Sequence, residues 1–184
     1  EKKPLVVIIP VFKNASLTMT CLQSVRKSIE RKKVKVFIVN DASQEKKLIQ
    51  DIKNFCSENK NFHILNHSCN RGFPAAVNTG PKAAGQSDVV ILNSDTIVPT
   101  GWLEELRRIA YSQTDIGTVT PFSNEASIFS YPSIVKTNTV PTEEKAQVYM
   151  GAAQAANAGQ FVDVPTANGF CMYVRHDCLN QTGL

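Results

Sequence analysis

Apolar positions along this chain fall into blocks whose spacing switches between continuous runs and helical stripes. Leu5 to Ile9 is an unbroken, largely β-branched run, the pattern of a strand covered on both faces, and Pro10 is predicted to end it. From Ser16, read as an N-cap, Leu17, Cys21, Leu22, Val25 and Ile29 recur at helical spacing as far as Arg31-Lys32-Lys33. Val34 to Val39 repeats the strand pattern, and Leu48, Ile49, Ile52, Phe55 and Cys56 repeat the stripe. Phe62 to Leu65 predicts a third strand. A short helix near Phe73 carries Ala75, Ala76 and Val77, and Gly80-Pro81 is predicted to break or kink it, because proline lacks the backbone donor. Val89 to Leu92 predicts a fourth strand, and Thr100 is read as the cap of a helix that turns Trp102, Leu103, Leu106 and Ile109 inward.

Strands and helices alternating over short connections imply right-handed crossovers and a mostly parallel central sheet with helices on both faces, an α/β, doubly wound architecture. The second half is less regular. Gly117 to Pro121 is strand-like, residues 122 to 141 read as an irregular polar loop, Thr142 to Ala158 as an Ala-rich helix stopped by Gly159, and Phe170 to Val174 as a last strand. With no linker and no repeat beyond the βα alternation, residues 1–184 are expected to form one domain.

In such a sheet ligands bind outside the carboxyl ends of the strands. The segments after the four strands are polar: Pro10-Val11-Phe12-Lys13-Asn14, then Asn40-Asp41-Ala42-Ser43, then Asn66 through Phe73, then Asn93-Ser94-Asp95. All four should line one edge. Asn40 to Ser43 serves equally as a turn with a helix cap or as a ligand-facing segment, and Asn70 with Gly72 as a left-handed turn. Asp95 stands between Leu92 and Ile97, where desolvation requires a carboxylate to be paired, hydrogen-bonded or metal-bound.

Composition narrows the class. A net charge of +4 with 42% hydrophobic residues is that of a soluble globular chain. The basic residues are spread out, so Arg26-Lys27 and Arg31-Lys32-Lys33 read as a solvated helix face and no nucleic-acid partner is expected. No apolar run approaches a membrane span or a signal peptide. Five cysteines, none spaced as CxxC, read as reduced and mostly buried thiols, and His63, His67 and His176 form no metal-binding cluster. A first residue Glu and a final Gly183-Leu184 read as a piece of a longer protein.

A Walker motif, a GxGxxG after the first strand and a GxSxG elbow are all missing, which disfavours P-loop nucleotidases, dehydrogenases and α/β-hydrolases. Oxygen-bearing Asn93, Ser94 and Asp95 suit a hard divalent cation shared with phosphates.

Five stretches taken in order, VVIIPVFKNASLTMTCLQSV (6–25), VFIVNDAS (36–43), NRGFPAAVNTG (70–80), VVILNSDTIVPTGWLEEL (89–106) and ANGFCMYVRHDCLNQTGL (167–184), resemble the family 2 glycosyltransferases of GT-A fold, especially the rhamnosyltransferase-like branch. The resemblance implies a nucleotide-binding half over 1–116 and the start of an acceptor-binding half over 117–184. It implies that Pro10, Phe12 and Asn14 border the base, that Asp41 hydrogen-bonds base or ribose, and that Asn70, Gly72, Phe73 and Asn78 shape the floor beneath ribose and diphosphate. Asn93, Ser94 and Asp95 then stand at the DxD motif, with Asp95 the carboxylate that holds Mn²⁺ or Mg²⁺ and Asn93 replacing the first Asp.

The implied activity is an inverting, metal-dependent transfer of sugar from a UDP, dTDP or GDP donor to a glycan, lipid-linked or protein acceptor. The setting implied is bacterial polysaccharide biosynthesis, in the cytoplasm or at the inner face of the membrane. The family's general base falls beyond Leu184, and Asp163 and Asp177 are the nearest carboxylates before it; Asp177 is read as the cap of a helix starting at Cys178. Asn168-Gly169-Phe170-Cys171 aligns with the acceptor-side loop or forms a tight turn. The alternative is a catalytically idle nucleotide-sugar-binding or scaffold domain. A nucleotidylyltransferase shares the architecture, but no Gly-rich, Arg-bearing loop follows the first strand.

Overall fold

The computed structural model describes residues 2–29, 33–134, 137–157 and 159–183. Strand β1 (Leu5–Val11) is buried along its whole length, and its side chains alternate between two cores. Leu5, Val7, Ile9 and Val11 join one cluster, Val6 and Ile8 the other. This is the period-two rule of a strand with both faces covered. The first core is closed by α1 (Ala15–Ile29), α2 (Lys46–Glu58) and α4 (Trp102–Ala110), the second by α3 (Phe73–Ala84) and α6 (His176–Thr182).

The remaining strands are β2 (Lys35–Asn40), β3 (Phe62–Asn66), β4 (Asp88–Leu92), β5 (Thr118–Val119) and β6 (Cys171–Val174). They form one sheet in the order β3-β2-β1-β4-β6-β5. The first four in that order run parallel, whereas β6 is antiparallel to both β4 and β5. The late segment around residue 171 therefore pairs with β4, in the middle of the sheet, and does not extend an edge.

Several local expectations are corrected. Strand β1 runs through Pro10 to Val11. The Val11 carbonyl points to β2, where it accepts the Asp41 N–H at 2.9 Å, so Pro10 faces β4, whose pairing with β1 has already ended at Ile8. A missing donor costs nothing there. Helix α1 starts at Ala15 and not from a Ser16 cap: Asn14 Oδ1 accepts the Leu17 N–H at 3.2 Å, and the Glu45 carboxylate accepts the N–H groups of Asn14 and Ala15 at 2.8 and 3.1 Å. Thr100 does not cap α4, because the cap position is Gly101, held at φ 92°. Both backbone groups of Thr100 are instead bonded by the Gln147 side-chain amide.

Pro81 does not break α3, which continues to Ala84 with Gly80 and Pro81 buried. The helix lies so low on β1 that packing outweighs the single lost backbone bond. Residues 122–141 are more ordered than a polar loop. They contain a turn of 3₁₀ helix (Ser127–Phe129), pair Ser123 with Ser130, and bury Ala126, Phe129 and Ser130. Hydroxyl and amide side chains satisfy that backbone, with Ser130 Oγ accepting the Ala126 N–H and Asn138 Nδ2 donating to the carbonyls of Asn124 and Ser133.

Helix α5 (Glu143–Asn157) buries none of its residues and is held by polar contacts, the Lys27–Glu143 ion pair at 2.7 Å and the Gln147 clasp. Arg26, Lys27 and Lys33 are exposed, as expected of a solvated face; Arg31 and Lys32 of that cluster, and Ala158 at the predicted end of α5, lie outside the described residues. No described helix is long and apolar enough to cross a membrane. Cys21 and Cys171 are buried, Cys56 and Cys178 half-buried and Cys69 exposed, all as free thiols.

Candidate active site

Parallel pairing fixes where the polar segments go. The register matches Val11 with Asn40 and Asn40 with Asn66, and β4 runs parallel to β1 and ends at Leu92, one residue past its last pair with Ile8, so the four segments leave the sheet along one edge. Asn40 anchors the second, its Oδ1 accepting the Ser43 N–H at 3.0 Å and its Nδ2 donating to Asn66 at 3.0 Å. That is the turn geometry the segment allowed; Ser43 bonds the Glu45 N–H but lies outside α2.

Asp41 is buried, and its carboxylate is occupied from within the chain. Oδ1 accepts the Arg71 N–H at 2.9 Å and faces His67 Nδ1 at 2.7 Å, and Oδ2 accepts the Gly72 N–H at 2.8 Å. Burial pushes its pKa up, but the Arg71 N–H, the His67 ring and the Gly72 N–H outweigh that, and the carboxyl is held below its ordinary value. Gly72 sits at φ 83°, a conformation a side chain disfavours, and its N–H also reaches Asn70 Oδ1 at 3.2 Å. Around this corner Phe12 and Phe73 stand 45% and 52% exposed, offering free aromatic faces at the edge. Pro10 is buried, Asn14 takes φ 73°, and Asn78 is exposed on the side of α3 away from the buried Ala76 and Gly80.

At the end of β4 the chain turns at Asn93, whose carbonyl accepts the Thr96 N–H at 3.2 Å and whose N–H donates to Phe170 at 2.8 Å. Asp95 is exposed, not buried. Contrary to the expectation from its apolar neighbours, the carboxylate is not desolvated; it sits in the solvent that opens onto the cleft. Ser94 is half-buried. The Asn93 Oδ1 atom, in contrast, is buried and accepts no hydrogen bond among the described residues. An orphaned buried oxygen of this kind carries a desolvation cost that a cation or a donor would relieve.

Among the described residues no three His, Cys, Asp or Glu side chains form a cation cage. One carboxylate, Asp95, and one orphaned amide oxygen, Asn93, suit a hard ion whose other ligands are phosphate oxygens and water. Cys21 lies behind Asn93, its Sγ 3.6 Å from the Asn93 carbonyl; burial, with the nearby Asp95 charge, pushes the thiol up to about 12, so it is no nucleophile.

Asp95 and Asn93 line a cleft of about 1620 Å³ bounded by α4, α5 and the 120–131 and 159–170 segments. Exposed Phe122, Ile128 and Val162 and the carboxylates of Glu125 and Asp163 also line it. Asp41, Asn70 and Phe12 do not; they flank it on the β1–β3 side of the same edge. Asp177 lies at the opposite edge, because β6 runs antiparallel. It is also not a cap: α6 starts at His176, and Asp177 in its first turn is ion-paired to Arg175. At that far edge a buried carboxylate is paired. Asp88, fully buried, accepts the hydroxyls of Tyr111 and Tyr173 at 2.8 and 2.6 Å and the His176 N–H at 2.9 Å.

Two participants escaped the sequence reading, Glu45 at the start of α1 and His67 beside Asp41. The signal for His67 lay in the strand register, since Asn40 opposite Asn66 makes the next residues, Asp41 and His67, neighbours.

A family model described as glycosyl transferase family 2 matches residues 6–182. The mannosyltransferase PcManGT from Pyrobaculum calidifontis, solved with GDP-Man and Mn²⁺, superposes with a TM-score of 0.67 at 16% identity, over 100% of this chain and 47% of that one. S. aureus TarS 1–349 gives 0.63 at 16% identity, over 97% and 49%, and its complex with UDP-GlcNAc gives 0.57 at 19% identity, over 76% and 37%. The chain thus spans about half the length of the solved structures it matches. No curated protein matches it. These likenesses establish the GT-A fold, and with the family model covering nearly every residue, the chain belongs to glycosyl transferase family 2.

Proposed function

We propose that this chain is the donor-binding domain of an inverting, metal-assisted glycosyltransferase that moves a sugar from a nucleoside diphosphate to a glycan, lipid-linked or protein acceptor. The observation that carries it is the end of β4, where exposed Asp95 and half-buried Asn93, with its orphaned side-chain oxygen, line a cleft large enough for donor sugar and acceptor. Asp95 would hold Mn²⁺ or Mg²⁺ with Asn93 and Ser94 alongside. When bound, such an ion offsets the charge that develops on the departing diphosphate.

On the β1–β3 side, Phe12 and Phe73 offer flat apolar faces to a base, with Pro10 and Asn14 bordering it. Asn70, Gly72 and Asn78 would lie under ribose and diphosphate. Asp41 serves the nucleoside chiefly by fixing the 70–73 corner, because three internal donors already occupy its carboxylate. UDP, GDP and dTDP donors, and a site of action in the cytoplasm or at the inner membrane face, belong to the same reading.

A thermal-shift titration tests it. UDP, GDP or dTDP should raise the melting temperature more in the presence of Mn²⁺ than without it. No shift with any of the three, with or without Mn²⁺, overturns the reading. The lone carboxylate of the pair also suits a domain that binds donor without turning it over; donor hydrolysis or transfer, absent despite tight Mn²⁺-dependent binding, would favour that second reading.

A further inference from the structure

His67 is a buried ionisable side chain to which the donor site assigns no task. Its side chain is 6% exposed and that of Asp41 5%. An ionised carboxylate only accepts, so His67 Nδ1 carries the hydrogen of the 2.7 Å contact to Asp41. The other ring nitrogen, Nε2, lies 2.8 Å from Thr79 Oγ1, whose own hydroxyl is 2.9 Å from the Ala75 carbonyl inside α3. The His67 backbone N–H donates to the Asn40 carbonyl at 3.0 Å. The ring is thus pinned between the end of β2 and the first turns of α3, and it holds one face of the carboxylate whose other contacts are the Arg71 and Gly72 amides. Without the ring, Asp41 would be one donor short and free to turn away from those amides.

We propose that His67 is a positioning residue for the nucleotide: it acts through Asp41, clamping the carboxylate against the Arg71 and Gly72 amides, so that the Asn70–Phe73 corner is set before a nucleoside diphosphate arrives. Setting the corner in advance removes an ordering cost from binding. The inference rests on the donor-site reading above for its consequence, but not for the clamp itself.

Three variants separate the contacts. His67→Asn keeps an N–H near the place of Nδ1 and gives up Thr79; His67→Gln reaches towards Thr79 and gives up Asp41. Thr79→Val removes the partner of Nε2 at nearly constant volume. Two quantities are read on the full chain, with the melting temperature as control: amide hydrogen exchange at Arg71 and Gly72 in the free protein, and titration of UDP and GDP with Mn²⁺.

His67→Gln should speed exchange at both amides and weaken nucleotide binding, each roughly tenfold or more, while His67→Asn stays within about threefold of the unaltered chain. Thr79→Val should fall between them. Unchanged exchange in His67→Gln, or equal losses in Asn and Gln, overturns the proposal. Should the His67 variants fail to fold, Thr79→Val and the unaltered chain decide it, since fast exchange at Gly72 in the latter is incompatible with a clamp. If the unaltered chain binds neither nucleotide, the donor-site reading fails while the exchange result still judges the clamp.

Discussion

Gly80 lies against Ile8 so closely that a β-carbon at position 80 would stand 2.3 Å from Ile8 Cγ2 and 2.6 Å from Cδ1. Ile8 is fully buried in β1, with no open side to move into. Gly80→Ala should therefore destabilise the fold by about 1–3 kcal/mol, although alanine is intrinsically the better helix former. Urea unfolding measures it, and a gain in stability would mean that α3 can lift from the sheet.

Asp95→Ala should leave the melting temperature nearly unchanged, because the side chain is exposed. Its effect should fall on nucleotide binding with Mn²⁺, weakened roughly tenfold or more, and much less on binding without the ion. Calorimetric titration of UDP and GDP with and without Mn²⁺ separates the two. Equal affinities for variant and parent in Mn²⁺ would remove Asp95 from the site.

The depressed pKa of Asp41 makes stability depend on acid. The folded-state value lies below the unfolded one of about 3.9, so the carboxylate's contribution is fully present above that pH and is lost as pH falls through the folded value. Asp41→Asn should cost about 1–3 kcal/mol near neutral pH, and the gap to the parent should narrow steadily below about pH 4. Urea midpoints measured from pH 7 to pH 3 provide the comparison. A gap independent of pH would contradict the assignment.

Thiol labelling should follow exposure. Cys69 should react first in the folded chain, whereas burial pushes the Cys56 thiol up to about 11, that of Cys21 to about 12 and that of Cys171 higher still. Mass spectrometry after brief treatment with an aromatic disulfide reagent should show Cys21 and Cys171 unmodified until denaturant is added.

The sequence carried the parallel half of the sheet plainly, because Leu5–Ile9 and Val89–Leu92 are too uniformly apolar to be anything but strands covered on both faces. It also carried the polar edge, since β2 and β3 end in Asn40 and Asn66, Asn93 directly follows β4, and Lys13-Asn14 come soon after β1. What it hid depended on partners distant along the chain. The α1 cap comes from Glu45, the tolerance of Pro10 from the point at which β4 stops pairing, and the persistence of α3 through Pro81 from its seat on Ile8. The apolar neighbours Leu92 and Ile97 imply a buried Asp95, yet it is exposed and keeps only the place that the resemblance gives it, whereas the orphaned buried atom is the uncharged Asn93 oxygen. His67 was invisible because its significance lies in the pairing of β2 with β3.

The antiparallel insertion of β6 beside β4 also governs how the chain comes together. Every residue of β4 is buried, yet its second neighbour arrives only about eighty residues later, at a loop-closure cost that slows its docking. During synthesis from the N-terminus, the first four strands can assemble while β4 still presents an unpaired, strongly apolar edge. Until Cys171–Val174 emerges, that edge is open to other chains, and it is the pairing of β6 with β4 that closes it against self-association.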